Sequence, residues 1–499
     1  MEFDAFVHGL TAFLSFKYIL ACFVGAFLGT TIGVLPGLGP TTTMTLMLPF
    51  VISQDATFGL IILTGILAGS QYGGSTTSIL VNIPGEAASV VTCLDGYQMA
   101  KKGRAGPALA LVAGGSFIGG TVAIVGTQVF APILGSAALA FGPPEFFALM
   151  VMCFILLSNL SGDSPLKGSI MFGLGLWLSS IGICPLDSNP RFTFDIDDLM
   201  MGIEFLPVAV GLFGVSEILI TGIKPYVPPI LEKVRLRELY PNREEIKRSI
   251  APTIRGSFLG FFVGLIPGPA AVIATFISYA LEKRVSKRPR EFGTGAVEGV
   301  IGPETANNSA CIGSMIPLLT LGIPFNAPSA VLLAGLLMHN IEPGPLLFQN
   351  APQVFWTYVA ALYIGNIVLL ILNLPLVGFF ARVATIRPQI LMPLVGTICL
   401  LGVYCSRNNF FDIWVMLVSG IIGIFFRMWN YPVGPLVIGL ILGPLTENSL
   451  RKSLLMFHGN LSQVLDRPIA LVFLFIGLTV ILIKMACYVL KKNRPNEGT

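Results

Sequence analysis

Charged side chains are scarce in this chain, at 11% of its 499 residues. A soluble domain carries roughly a quarter. A chain this poor in charge cannot cover its own surface in water, so the solvent is largely lipid and an ordinary soluble enzyme or binding module is excluded. Histidine is scarcer still. His8, His339 and His458 are the three present and lie far apart, so neither a metal site nor a cofactor is expected. The eight cysteines are scattered with no CxxC pair, and most (Cys22, Cys153, Cys311, Cys399, Cys487) fall in apolar runs as packing residues. No H-E-x-x-H, G-x-S-x-G or Walker A sequence occurs, which argues against an intramembrane hydrolase, an acyltransferase and an ATP-driven pump, and assigns no catalytic residue. The net charge of +4 comes from basic residues in short loops, a pattern that does not suit nucleic acid. The N-terminus lacks a basic n-region and a cleavage site, and reads as part of the mature chain.

What fills the chain instead is apolar. Hydrophobic residues make up 54% and the mean hydropathy is +0.81. A spanning helix needs about 20 mostly apolar residues, and candidate spans fall at 105–131, 145–160, 166–185, 203–222, 354–378, 389–405, 411–426, 432–446 and 467–490. Basic residues in short loops mark the cytoplasmic side. Lys101, Lys102 and Arg104 place one loop inside, as do seven basic residues between 224 and 250, Arg382 with Arg387, Arg427, and the tail Lys491, Lys492 and Arg494. The loop 186–200 carries Asp187, Asp195, Asp197 and Asp198 against one Arg191, which fits outside. The expectation is an all-α polytopic membrane protein of about 10–12 transmembrane helices. Its parts are a first membrane repeat at 1–223, a cytoplasmic linker at 224–250, a second repeat at 251–450, and a last helix with a cytoplasmic tail at 451–499.

The two halves share motifs in the same order. Pro36-Gly37-Leu38-Gly39-Pro40 is matched by Pro267-Gly268-Pro269, an offset of 231 residues between Pro36 and Pro267. Gly74-Ser75 followed by Ile83-Pro84-Gly85 is matched by Gly313-Ser314 followed by Ile323-Pro324, an offset of 240 between Pro84 and Pro324. Two pairs in order make a duplicated unit. The loops after these motifs differ in sign. Ser53–Thr57 has no basic residue whereas Glu282–Arg288 is strongly basic; later, Lys101-Lys102 faces His339-Asn340-Ile341-Glu342. Matching loops on opposite faces indicate two inverted-topology repeats, the arrangement that generates alternating access and disfavours a fixed pore.

The arms 251–266 and 269–281 are each short for a span and lie between two cytoplasmic stretches, which predicts a re-entrant helical hairpin tipped by Pro267-Gly268; by symmetry 20–52 forms a second hairpin entering from outside. Residues 1–19 are an interfacial helix or an extra span. Backbone leaving a helix inside a bilayer has to line a cavity or be buried in protein. The helix starts that follow the tips offer free N–H groups to an anion. Pro36, Gly37, Gly39, Thr41, Thr42, Thr43, Pro267 and Gly268 are therefore candidates for binding a carboxylate, the competing reading being simple packing kinks. Ser75, Thr76, Ser78, Asn82, Pro84 and Gly85, with Asn307, Asn308 and Ser314 in the second half, form a small polar stretch in apolar surroundings. It suits substrate oxygens or a cation, against close helix packing as the alternative. Glu86, Asp95, Glu298 and Glu304 are ionisable groups in or near the apolar zone, where a carboxylate is costly and usually functional. One of them is expected to carry a coupling H⁺ or help bind Na⁺. Asp95 lies near Lys101–Arg104, where a structural ion pair is expected, and Glu298 and Glu304 flank Gly302-Pro303 and suit the membrane interface equally well.

These motifs carry a resemblance. GVLPGLGPTTTMTLMLPF (33–50), YGGSTTSILVNIPGE (72–86), DGYQMA (95–100), EGVIGPETANN (298–308) and PLVIGLILGPLTE (435–447) make residues 18–450 similar to the large membrane subunit of tripartite tricarboxylate transporters, the TctA family. The resemblance implies a permease of the bacterial inner membrane. It would work with a small TctB-like membrane subunit and a periplasmic, TctC-like solute-binding protein that delivers a small carboxylate. Uptake would be driven by an ion gradient. One departure is visible: Phe325-Asn326 stands where the first half has Gly85-Glu86. A self-sufficient ion-coupled carrier for an organic anion is the alternative within transport.

Single cysteines placed at Ser53 and at Val285, in a background without the native cysteines, should react with a membrane-impermeant maleimide from opposite faces of the membrane. Labelling of both from one face removes the inversion.

Overall fold

Glycine at every fourth position decides how two pairs of long helices meet. The computed structural model describes residues 2–35, 39–160, 164–184, 188–223, 239–383, 386 and 388–492. The tip residues Pro36 and Gly37, the charges Asp187, Lys224, Lys233, Arg235, Arg237, Arg387 and Arg494, and most of the 224–250 linker lie outside them. The chain is almost wholly helical. After a short α1 (Glu2–Phe13) come α2 (Phe16–Gly33), α3 (Pro40–Ile52), α4 (Ala56–Val81), α5 (Val90–Met99) and α6 (Ala105–Ala138). There follow α7 (Pro143–Leu160), α8 (Pro165–Ser179), a two-residue antiparallel pair β1 (Gly182–Ile183) and β2 (Pro190–Arg191), and α9 (Phe205–Gly222), which carries a π-turn at Val210–Val215. The second half runs α10 (Arg243–Gly264), α11 (Ala270–Val285), α12 (Val297–Gly313), α13 (Met315–Leu321), α14 (Ala327–Met338), α15 (Pro352–Asn373), α16 (Val377–Val383), α17 (Pro388–Arg407), α18 (Phe410–Met428), α19 (Val433–Met456) and α20 (Pro468–Lys492). Among the described residues seven helices are long and apolar enough to cross a membrane, and the chain is an all-α polytopic membrane protein.

Two packing units arise, one of residues 1–136 with 204–425 and one of 137–203 with 426–499. Each takes chain from both sequence halves. The smaller unit rests on glycines of α8 and α19: Gly175 lies on the Leu436 carbonyl and Gly439 on that of Phe172, so neither tolerates a side chain. Arg191, from β2, and Arg451 both reach Glu447 at 2.7 Å.

The larger unit shows the duplication in three dimensions. In both copies two successive helices form the arms of a hairpin (α2–α3, α10–α11). The next helix then breaks at a short link (after α4, and after α12–α13) and resumes (α5, α14). In the first copy Gly25, Gly29 and Gly33 of α2 sit against the carbonyls of Ile62, Ile66 and Ser70. In the second, Gly256, Gly260 and Gly264 of α10 sit against those of Gly302, Ala306 and Ala310. The first set is displaced by 231 residues (Gly25 to Gly256) and its partners by 240 (Ile62 to Gly302), the two offsets read from the motifs. Spacing of four keeps all three glycines on one face, and their missing side chains let backbones touch, the way membrane helices pack where lipid supplies no hydrophobic drive.

The breaks repeat as well. Asn82 ends α4 in the left-handed conformation (φ 57°) and Gly322, 240 residues on, ends α13 the same way (φ 72°). Ser89 and Ser329 then take hydrogen bonds from the backbone N–H of Glu86 (3.3 Å) and Asn326 (3.1 Å), starting the next helix in each copy. The hairpin meets the break of its own copy: in the second, the Gly268 N–H donates to the Phe325 carbonyl at 2.9 Å, and in the first, Gly85 lies on the carbonyl of Gly33, the last residue of α2. α1, at 12 residues, is about 18 Å long and too short to cross on its own; its Gly9 packs on the backbone of Trp356 in α15. α10 begins within the stretch read as linker, because Asn242 accepts from the Glu245 N–H (2.8 Å) while Glu245 accepts from that of Asn242 (2.7 Å), a reciprocal cap that extends the helix into basic sequence.

Gly260→Leu should force α10 off α12 at a cost of about 1–3 kcal/mol or more, whereas Gly114→Ala in α6, which meets nothing within 4 Å, should be neutral. Melting followed by size-exclusion chromatography of the detergent-solubilised protein measures both, and equal melting temperatures would sink the packing argument.

Candidate functional site

The helix most thoroughly enclosed is α12. All but one of its residues are buried, Glu298 being the exception, although it carries Glu304, Thr305, Asn307, Asn308 and Ser309 in succession. A helix surrounded by protein has no lipid-facing side to keep apolar, so polar groups can point inward provided they find partners.

Glu304 is fully buried and its two oxygens are held by the other half of the chain. Ser75 Oγ of α4 donates to Oε2 at 2.5 Å, and Thr92 Oγ1 of α5 donates to Oε1 in a short bond. One turn on, Asn307 Nδ2 donates to Oε1 of Glu86 at 3.1 Å. The amide of Gln71, from α4, also borders the Glu86 carboxylate, and Glu304 lies within electrostatic reach of it. Glu86 is partly exposed where Glu304 is not, so the pair runs from an accessible carboxylate at the break to an enclosed one. Among the described residues no Lys, Arg or His pairs with either. Asn308 faces elsewhere, donating to Ser116 Oγ of α6 at 2.7 Å.

The other two acidic candidates sit apart from this cluster. Asp95 is fully buried, and its Oδ1 accepts from the backbone N–H groups of Gly293, Gly295 and Ala296 at 2.7–2.8 Å while Oδ2 accepts from Tyr279 at 2.9 Å. Its partners are the loop entering α12 and a helix of the second hairpin rather than Lys101, Lys102 or Arg104; Arg104 pairs instead with Glu245 at 2.5 Å. Glu298 is bound by Arg248 at 2.6 and 2.9 Å, with Glu291 on the same guanidinium.

Of the polar stretch, Ser75 and Asn307 reach the acidic pair by hydrogen bonds of their own side chains. Ser78 and Ser314 donate to carbonyls of their own helices (Gly74 and Cys311), and Thr76 is buried. Asn82 is exposed at the end of α4, with Pro84 half-buried and Gly85 buried beside it. At the first tip Gly39 precedes α3. Thr42 donates to the Phe213 carbonyl (3.4 Å) and Thr43 to that of Gly39 (3.2 Å), while Thr41 stays half-buried. Pro267 and Gly268 are buried at the second tip. Gln71 and Thr92 were not singled out in the sequence, although a glutamine inside the apolar run of α4 was a signal of the same kind as Asn82.

The chain resembles known proteins over most of its length. A family model described as the tripartite tricarboxylate transporter TctA family matches residues 19–438. An uncharacterized 52.8 kDa protein in the TAR-I ttuC' 3' region of Agrobacterium vitis is 43% identical over 467 residues, 94% of this chain and 93% of that protein. An uncharacterized protein in the TAR-II ttuC' 3' region of the same organism is 40% identical over 226 residues, 45% of this chain and 93% of its own length. No solved structure matches. A family match spanning both repeats and the acidic pair, together with a full-length relative, establishes that the chain belongs to the tripartite tricarboxylate transporter TctA family.

Proposed function

We propose that the chain is the large permease subunit of a three-component carrier, a symporter of the bacterial inner membrane that uses an ion gradient to take up a small carboxylate handed over by a periplasmic, TctC-like binding protein, with a TctB-like small membrane subunit alongside. The observation that carries this reading is the Glu86–Glu304 pair. Carboxylates held inside a membrane protein without a basic partner are costly to keep charged, so they are kept where a travelling cation, H⁺ or Na⁺, supplies the missing charge. Two broken helices, each meeting a helical hairpin of its own copy, support the same conclusion. Such interruptions at membrane depth are how carriers present backbone groups to solute. The opposite charge bias of matching loops supports an inverted relation between the repeats, the arrangement that generates alternating access. The transported carboxylate docks at the helix starts of α3 and α11, near Thr41 and Gly268, and Asn82, on the exposed side of the break, faces it. Asp95 serves a different end: four donors fix it, and it ties the first copy to the second.

Reconstitution in proteoliposomes tests the assignment. Uptake of a labelled tricarboxylate should require the binding protein and the small subunit and should follow an imposed Na⁺ or pH gradient; equal uptake by this chain alone would make it a stand-alone anion carrier instead. Glu304→Gln should lower gradient-driven uptake by about a hundredfold or more with normal membrane insertion, the loss expected when a required charge partner is removed, on the order of 3 kcal/mol. Asp95→Ala should act on folding, lowering the yield of monodisperse protein, because three backbone N–H groups and a tyrosine hydroxyl lose their acceptor. Wild-type uptake in Glu304→Gln would remove the acidic pair from the mechanism.

A further inference from the structure

The acidic pair is accompanied by two orphaned acceptors. Asn307 is 0% exposed and Gln71 3% exposed, yet among the described residues Asn307 Oδ1 and Gln71 Oε1 have no hydrogen-bond partner. Both amides border Glu86, Asn307 through its Nδ2, and each free oxygen shares its amide carbon with the nitrogen beside it, at the edge of the same polar group. A buried acceptor left unpaired costs about 1–3 kcal/mol, and here two stand beside two carboxylates with no basic partner.

We infer that the amide oxygens of Gln71 and Asn307, with the carboxylates of Glu86 and Glu304, form a single Na⁺ site. This rests on the transport reading and names its coupling ion. A proton placed on one carboxylate gives one donor to one acceptor and leaves the other amide oxygen orphaned. A hard cation ringed by oxygens satisfies all of them together. Mg²⁺ keeps several waters and demands octahedral geometry, which a cluster packed around fully buried Glu304 and Asn307 does not accommodate. The site is single because the duplication did not copy it. At the offset of 240 residues Gln71, Ser75, Glu86 and Thr92 correspond to Cys311, Met315, Asn326 and Leu332, and Glu304 and Asn307 to Thr64 and Leu67. The second position has no carboxylate, so one Na⁺ binds per chain at this level of the fold.

Binding is read on the purified, detergent-solubilised full chain, independently of uptake, by thermal unfolding in NaCl, KCl, MgCl₂ or choline chloride at matched ionic strength and by calorimetric titration with NaCl. Na⁺ alone should raise the melting temperature, with a stoichiometry of one. Gln71→Leu and Glu86→Gln should each weaken Na⁺ by roughly tenfold or more, and Thr64→Val, at the pseudo-equivalent position, should keep wild-type affinity. Two variants guard against one failing to fold. No Na⁺-specific stabilisation of the wild type, stabilisation by Mg²⁺ in its place, or unchanged affinity in both Gln71→Leu and Glu86→Gln overturns the site. Uptake driven by a pH gradient and indifferent to Na⁺ overturns it while leaving the transport reading intact. Na⁺ binding without uptake in the complete three-component system upholds the site and removes the transport reading.

Discussion

A peptide group that leaves a helix at membrane depth finds no water, and it is tolerable only against other protein. That constraint organises the larger unit. Each copy has a hairpin and a helix break, and the structure brings them to each other: the Gly268 N–H is taken by the Phe325 carbonyl, and Gly85 fits against the Gly33 carbonyl at the end of α2. The contact needs the two helices to lie backbone to backbone, which the glycine stripes of α2 and α10 provide. Close packing, interrupted helices and a polar centre are thus one feature, because removing the small residues would separate the groups that satisfy the breaks.

Duplication explains the frame and makes the chemistry conspicuous. The left-handed caps Asn82 and Gly322 and the helix starts at Ser89 and Ser329 are the same device used twice. At the residue between them the copies diverge. Asn326 Oδ1 accepts from the Ser329 N–H at 2.9 Å and so caps its helix, whereas a Glu86 carboxylate oxygen accepts from Asn307 of the other copy at 3.1 Å. A neutral capping residue in one repeat is an acid aimed at the centre in the other. Glu304 stands in the same relation to Thr64. Two substitutions against a symmetric background account for the acidic pair.

Much of this frame was legible. Apolar runs located the spans, since lipid-facing helices have to be apolar, and the ranges 354–378 and 411–426 coincide closely with α15 and α18. Pro-Gly motifs located tips and breaks, since those residues interrupt helices wherever they occur. α4, α12 and α14 were not among the spans read from hydropathy. α12 carries Glu298, Glu304, Asn307 and Asn308 and touches protein on all sides, so composition gives no membrane signal for it. The glycines of α2 are visible in sequence, but the carbonyls they meet, 37 residues away from Gly25 to Ile62, are a tertiary fact. Gln71 escaped notice for a related reason: its significance lies in an unpaired oxygen, which only the surroundings disclose.

Asp95 and Glu304 show how one residue class in one interior meets different ends. Both side chains are fully buried. Asp95 receives four donors, three of them backbone amides whose positions are set by the turn before α12. Hydrogen bonds to a charged group contribute roughly 1.5–3 kcal/mol each, and four of them offset a large part of the several kcal/mol that burying a carboxylate costs. Glu304 receives two hydroxyls, from Ser75 and Thr92, and borders the Asn307 amide as a third donor. None of these is a backbone group fixed by a turn, and the Asn307 amide is shared with Glu86. A carboxylate fully provided for within the chain can only hold structure. One with fewer fixed donors, beside a second acid and two unpaired oxygens, is the group on which the proposed Na⁺ site draws, and an ion bound there drives a carrier only by binding one of its conformations more tightly than another.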